Sequence, residues 1–316
     1  MAMSAGVKSE EELEEIARRD ITLFEKFLQD PDSELKKRAI YVLSRLGEED
    51  PLAVEKVVKP LVSCLEDDDD AVRASSIAAL ATLGDSMPDA IKPGVEMFLK
   101  LLDDEHLNAR RNAAYALALI GEDHPELVKE AVPKLISYAK SGSDIIRANA
   151  TCSLALFARG NPALVKPYAK EFIAALDDEN EVIKTNATYI LGHIGQDNAE
   201  LVKEIIPRLV ESLKNDSILK ENAAYALALI GINNPDLIKD AIPLLLALLK
   251  DSREEVRATS ACALGATCNP VALKSLRDLI DDGSLVNVYH PEGRVFVATT
   301  VSEMARHAAK KGMKRK

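Results

Sequence analysis

The chain contains no tryptophan, and aromatic residues make up only 4% of its 316 residues. With 47% hydrophobic content, the core must then be built from Ala, Leu, Ile and Val, which is largely helix-forming material. Cysteine is also scarce. Cys64, Cys152, Cys262 and Cys268 are scattered without any C-x-x-C spacing, which points away from a disulfide framework or a thiolate metal site. No stretch approaches the run of about 18 apolar residues that spans a bilayer, and the opening "MAMSAGVKSEEELEEIARRD" has no apolar signal core. A cytoplasmic protein with no membrane partner is expected. Basic residues are outnumbered, 40 Lys and Arg against 51 Asp and Glu, and the formal charge of −11 argues against a nucleic-acid partner, which needs a concentrated basic face. Gly-rich phosphate loops and Ser/His/Asp constellations are missing as well. The acidic run "EDDDD" at 66–70 lacks the ligand alternation and the glycine of a calcium loop. Neither a metal nor a cofactor is expected.

What the chain has is repetition. The phrase "NAAYALALIG" stands at 112–121 and again, letter for letter, at 222–231. Aligning on Asn112 and Asn222 picks out Arg38, Ser75, Asn149, Asn186, Thr259 and Thr299 in the same register, at steps of 36 to 40 residues. This predicts seven regular units of about 37 residues and a divergent eighth, each an apolar helix, an acidic turn, a second apolar helix, a glycine and a Pro-bearing connector. In the second helices, positions three before and one, four, five and eight after the anchor are apolar or small and gather on one face. For the third unit these are Ala109, Ala113, Ala116, Leu117 and Ile120. Gly47, Gly84, Gly121, Gly195 and Gly231 are placed to end their helices as left-handed C-caps.

Two polar columns accompany the core. Lys36, Arg73, Arg110, Arg147, Lys184, Lys220 and Arg257 lie two residues before the anchors, and Asp30, Asp67, Asp104, Asp178 and Asp251 precede the second helices, with Ser141 and Asn215 in the gaps. Carboxylates suit helix starts, and the two columns together predict a structural ladder linking adjacent units.

The frames "DDDAVRASSIAAL" at 68–80 and "DSREEVRATSACALG" at 251–265 resemble HEAT repeats, particularly those of the phycocyanobilin lyases, and the longer unit is similar to armadillo repeats. The resemblance implies an all-α, right-handed α-solenoid of about seven to eight repeats: a capping helix over 1–19, the solenoid over 20–311 with an insertion at 282–295, and a basic tail at 312–316. Two enzymes of similar architecture fit poorly. The His-Glu pairs of deoxyhypusine hydroxylase do not occur at His106, His124, His193, His290 or His307, and the basic, Trp-bearing cleft of HEAT-like DNA glycosylases is missing. A non-enzymatic chain is expected.

In such a solenoid the second helices line the concave side. Three residues after the anchors stand Tyr41, Ala78, Tyr115, Cys152, Tyr189, Tyr225 and Cys262, and six after them stand Ser44, Ala81, Ala118, Ala155, Gly192, Ala228 and Gly265, all small. Aromatic side chains in such a position are favoured binding anchors. A scaffold is therefore expected that binds a protein or peptide along the concave face through Tyr41, Tyr115, Cys152, Tyr189, His193 and Tyr225. The small column either forms a bare strip beside the tyrosines or marks where neighbouring helices converge. The tyrosines match the Trp of armadillo proteins, but the Asn positions four residues on hold Leu119, His193 and Leu229, so the ligand is a strand or a helix. The rival reading is a tetrapyrrole carrier or lyase akin to the bilin lyases. In the last unit, "GSLVNVYHPEGRVFV" carries β-type runs around a turn and is either a cap over the final repeat or a binding hairpin.

Overall fold

The computed structural model describes residues 9–84, 88–102, 104, 107–140, 143–214, 218–290 and 295–314. It is an all-α helical repeat solenoid with one added β-hairpin, and it divides into two compact units, Met1–Leu164 and Val165–Lys316. In the first unit the second helices of the repeats are Ser33–Glu49, Asp70–Gly84, Leu107–Asp123 and Asp144–Gly160, and each packs on the next. In the second unit they are Glu181–Gly195, Ile218–Asn233, Glu254–Ala266 and Val301–Lys314, again in sequence. The predicted core face is buried: Ala113, Ala116, Leu117 and Ile120 in one copy of the repeated phrase, and Ala223, Ala226, Leu227 and Ile230 in the other, are all without solvent exposure.

The amino-terminal cap is the helix Glu10–Arg19, started by a reciprocal capping box between Ser9 and Glu12. Leu13 and Ala17 bury it against Ser33–Glu49. At the other end the final helix runs to Lys314, so residues 312–314 of the expected tail are helical.

Helix ends depart from the sequence reading. Gly47, Gly121 and Gly231 are not left-handed caps, because their helices continue two residues beyond each of them. The chain stops instead at the residue before a proline. Asp50, with φ −145° and ψ 90°, joins Ser33–Glu49 to a helix that opens on Pro51, and Asn161 and Asn234 occupy the same joint before Pro162 and Pro235. A proline ring disfavours helical backbone in the residue ahead of it, so one extended residue separates the two helices. The glycines serve packing. A methyl group on Gly121 would sit 2.5 Å from the Phe157 ring and 2.6 Å from Val128, and one on Gly231 would sit 2.5 Å from Ile238 and 2.8 Å from Ala266. Among the described non-glycine residues, the left-handed conformation occurs at Cys268, with φ 54°, just past the helix Glu254–Ala266.

The Asp column does two jobs at once. Asp30, Asp67, Asp178 and Asp251 each turn Oδ1 back to accept the N–H two residues on, at 2.9 to 3.1 Å. The helix caps proper are those next residues: Asp32, Asp69 and Asn180 accept from the first-turn amides. The second oxygen, Oδ2, receives the cation of the preceding repeat, Lys36 at 2.5 Å on Asp67 and Lys220 at 2.9 Å on Asp251. Both pairs are nearly buried, with no side chain more than 14% exposed.

The column does not, however, form one continuous ladder. Arg73 and Lys184 are held within their own repeats by Asp70 and Glu181, and Arg147 bonds Asp144 in its own helix. Arg73, Arg110 and Arg257 share a different task, each donating Nη1 to the carbonyl six residues earlier, on Asp67, Asp104 and Asp251. Ser141 and Asn215 lie outside the described residues.

The insertion is an antiparallel hairpin, β1 (Leu285–His290) and β2 (Val295–Thr300), with Leu285 opposite Thr300. It extends beyond the expected 282–295, and the anchor residue Thr299 lies in a strand, the last helix starting only at Val301. Arg257 fastens its base. The guanidinium bonds both oxygens of Asp282, at 2.7 and 3.3 Å, and Ser284 Oγ at 2.8 Å. This fork holds the Asp282 carboxyl down at about 2, the bond from Arg257 outweighing partial burial.

Two expectations follow. Gly231→Ala is expected to destabilise by roughly 1–3 kcal/mol through overpacking. Gly94→Ala, whose new methyl would lie 3.5 Å from its nearest neighbour, is expected to stabilise by up to about 1 kcal/mol through helix propensity; urea melts of both variants decide it, and equal effects would refute the packing account. Because the pKa of Asp282 is depressed in the fold, its contribution of about 2 kcal/mol is present above the ordinary carboxylate pKa and is lost as pH falls towards 2. Asp282→Asn is therefore expected to be less stable than the parent at pH 7, with the two converging in acid.

Candidate functional site

The two helices Glu181–Gly195 and Ile218–Asn233 approach more closely than side chains normally permit. A methyl group on Gly192 would fall 2.8 Å from Ala226 Cα, so backbone meets backbone there. Tyr189 lies one turn before Gly192, and Tyr225 is the neighbour of Ala226. The close approach therefore brings the two phenol rings together, nearly parallel at an interplanar angle of 7° with centroids 5.4 Å apart. His193, one turn on from Tyr189, tilts against that ring at 4.7 Å and against Tyr225 at 6.0 Å. All three are half-buried. They form one aromatic cluster on the helix face opposite the core.

The remaining candidates do not join it. Tyr41 is 48% exposed with the Arg45 guanidinium 6.0 Å from its ring, and Cys152 is exposed; both belong to the first unit. The side chains of Tyr115, Ala118 and Leu119 lie outside the described residues. Of the small column, Ala155, Gly192 and Gly265 are buried, and a methyl group on Gly265 would meet Ala308 at 2.7 Å, so these three pack between helices; Ser44 and Ala228 are partly exposed, and the side chain of Ala81 lies outside the described residues.

The same face carries residues that the sequence reading passed over. Val182 and Ile218, each seven residues before its tyrosine and hence on the same side of its helix, are 53% and 55% exposed. Glu221, one turn before Tyr225, is half-buried and its side chain makes no hydrogen bond or ion pair. Burial, and then the neighbouring Glu255, push its carboxyl above the usual range, against a counter-pull from Arg253. A period of seven in the second helices is the signal that finds Val182 and Ile218. Glu221 left none, since no other repeat has a carboxylate at that position.

Repeats of helical pairs, a buried Ala/Leu/Ile face, and Asp-to-cation bonds between repeats agree with comparison to known proteins. The family profile described as HEAT repeats matches residues 21–93, 58–155 and 206–287. The chain belongs to the HEAT-repeat family. That match is to HEAT repeats at large, and the narrower likeness to bilin lyases rests on the frame sequences alone. Among solved structures, an engineered protein is similar over 96% of this chain and 81% of its own, with 22% identity and a TM-score of 0.60. A second engineered protein matches 66% of this HEAT-repeat chain and 96% of its own, with 25% identity and a TM-score of 0.53. A designed armadillo repeat protein in complex with the peptide (KR)4 covers 66% of this chain and 99% of its own, with 22% identity and a TM-score of 0.53. Comparison with curated proteins finds no match. Among the described residues, no helix is long and apolar enough to cross a membrane.

Half-burial sets the energetics of the cluster. Tyr225→Ala is expected to cost about 1–2 kcal/mol, from the covered part of the ring and its stacking on Tyr189. Tyr225→Phe keeps both and is expected to lose less than the alanine variant in the same melt. A loss above about 3 kcal/mol for the alanine variant would make the ring part of the core.

Proposed function

We propose that this HEAT-repeat protein is a non-enzymatic interaction scaffold that binds a segment of a protein partner along the face of its second helices, with the Tyr189–His193–Tyr225 cluster as the anchor. The observation that carries this reading is the cluster itself: three rings held edge and face to one another on the side of the helices away from the core. Rings fixed by their neighbours lose little entropy when a ligand covers them, and aromatic anchors dominate interface energies. Exposed Val182 and Ile218 extend the face with apolar surface. A neighbour in fold, the designed armadillo repeat protein, holds a peptide, and that peptide is basic; the net charge of −11 here has the sign that suits such a ligand. The cluster offers π faces, an imidazole edge and a nearby carboxylate, which are means of recognition more than of bond making. A cytoplasmic setting accords with this role.

The test is an immobilised peptide array probed with the parent chain and with the triple variant Tyr189→Ala/His193→Ala/Tyr225→Ala. Bound peptides are expected to weaken by about 1–2 kcal/mol per ring removed. Circular dichroism is expected to show the triple variant still helical at room temperature. Binding that is indifferent to all three substitutions would move the site elsewhere.

A further inference from the structure

Glu221 is anomalous among the charged residues of the second unit. The carboxylates around it are used: Asp251 receives Lys220 and turns its own loop, and Asp282 is gripped by Arg257. Glu221 is half-buried and has no hydrogen bond or ion pair, while its closest charged neighbours are Glu255, which repels it, and Arg253, which attracts it. A carboxylate in this state has lost part of its hydration without gaining a partner. One helical turn away on the same face stands Tyr225, stacked on Tyr189. Aromatic faces attract cations through the ring quadrupole, and they do so more strongly when water is partly excluded. An uncompensated carboxylate and two phenol rings are therefore side by side on one face.

We infer that Glu221 and the Tyr189–Tyr225 stack together form a subsite for one lysine or arginine side chain of the bound protein segment. This rests on the second-helix face being the binding surface. The alkyl stem of the cation lies against the phenol rings and its charged head meets Glu221, with Glu255 adding to the field from the next repeat and Arg253 setting the limit on how much positive charge the place accepts. Lys220, next to Glu221 in sequence, does not compete, because it is turned to Asp251. Exposed Val182 and Ile218 at the helix starts would take apolar residues flanking the cation. The segment so described is a basic residue among apolar ones, distinct from a uniformly charged tract. Since only the ionised carboxyl holds the cation, and since burial and Glu255 raise the Glu221 pKa, binding weakens as pH falls through that raised value.

The probes are two fluorescein-labelled octapeptides, one with a single Lys flanked by Leu and Ala and one with that Lys replaced by Gln, titrated against the full chain and followed by anisotropy. E221Q is expected to weaken the basic peptide about tenfold and to leave the neutral one unchanged. The control is E200Q, which removes one charge from a side chain 84% exposed and outside the cluster, and it is expected to change affinity by less than twofold. E221Q relieves repulsion with Glu255, so its thermal midpoint is expected to equal or exceed that of the parent. Equal losses for E221Q and E200Q would show attraction to bulk charge only and overturn the subsite, as would failure of the basic peptide to bind. If in either case Y189A/Y225A still abolishes binding of the neutral peptide, the face remains the binding surface and only the cation subsite falls.

Discussion

In the second unit two pairs of neighbouring second helices touch backbone to backbone, and the repeats there depend on that distance. Gly192 against Ala226 and Gly265 against Ala308 leave no room for a methyl group, let alone a larger side chain. Helices this close can share a core of Ala, Leu and Ile without voids, which is why the chain folds with so few aromatic residues and no tryptophan. The closeness has a consequence on the opposite face, where residues flanking the contact are carried to van der Waals range of their counterparts in the next repeat. Two tyrosines at that position must stack. Packing thus dictates where the aromatic cluster stands, without any requirement that the rings be buried.

Charge secures the register that packing leaves open. An alanine-rich interface slides easily, since one small residue resembles the next, whereas an Asp that must turn its own loop with one oxygen and meet a cation with the other has a single solution. Lysine and arginine serve this differently. Lys36 and Lys220 are point charges on long stems and reach the next repeat. Arg73 and Arg110 spend part of the guanidinium fork on carbonyls of their own turn, tightening the repeat from within. Arg257 does both, because the fork has donors left for Asp282 after Nη1 has taken the Asp251 carbonyl. The hairpin is thereby attached through the same residue that would otherwise bond an eighth regular repeat.

The period of the repeat, the core face and the shared face of Tyr189 and Tyr225 were legible because each is a property of one helix, fixed by 100° per residue. What escaped is set between helices. Gly121 and Gly231 read as caps in a single strand of sequence, but whether a glycine ends a helix or admits Phe157 or Ile238 depends on a neighbour that the local pattern does not contain. The stopping signal was present all the same, in the prolines at 51, 162 and 235, whose effect on the preceding residue is local. The double use of the Asp carboxylates and the isolation of Glu221 were out of reach, since both turn on which oxygen faces which repeat. The hairpin was readable as β-type sequence, though not its extent, because Val, Ala and Thr at 297–301 suit a strand and a helix start about equally well.

The two identical phrases show how far a repeat's meaning lies outside itself. Residues 112–121 and 222–231 are the same ten letters, yet Tyr225 follows a repeat that offers Tyr189 in its column, while Tyr115 follows one that offers Ala78. Alanine carries no ring, so that column cannot supply a second half like the one Tyr189 supplies to Tyr225. Selectivity in a solenoid is therefore written in the order of its repeats, and a site arises where two neighbours each contribute half. By that logic an exchange of Ala78 for tyrosine supplies the missing half at the first copy, but without a carboxylate at the position of Glu221, which is Arg111 there.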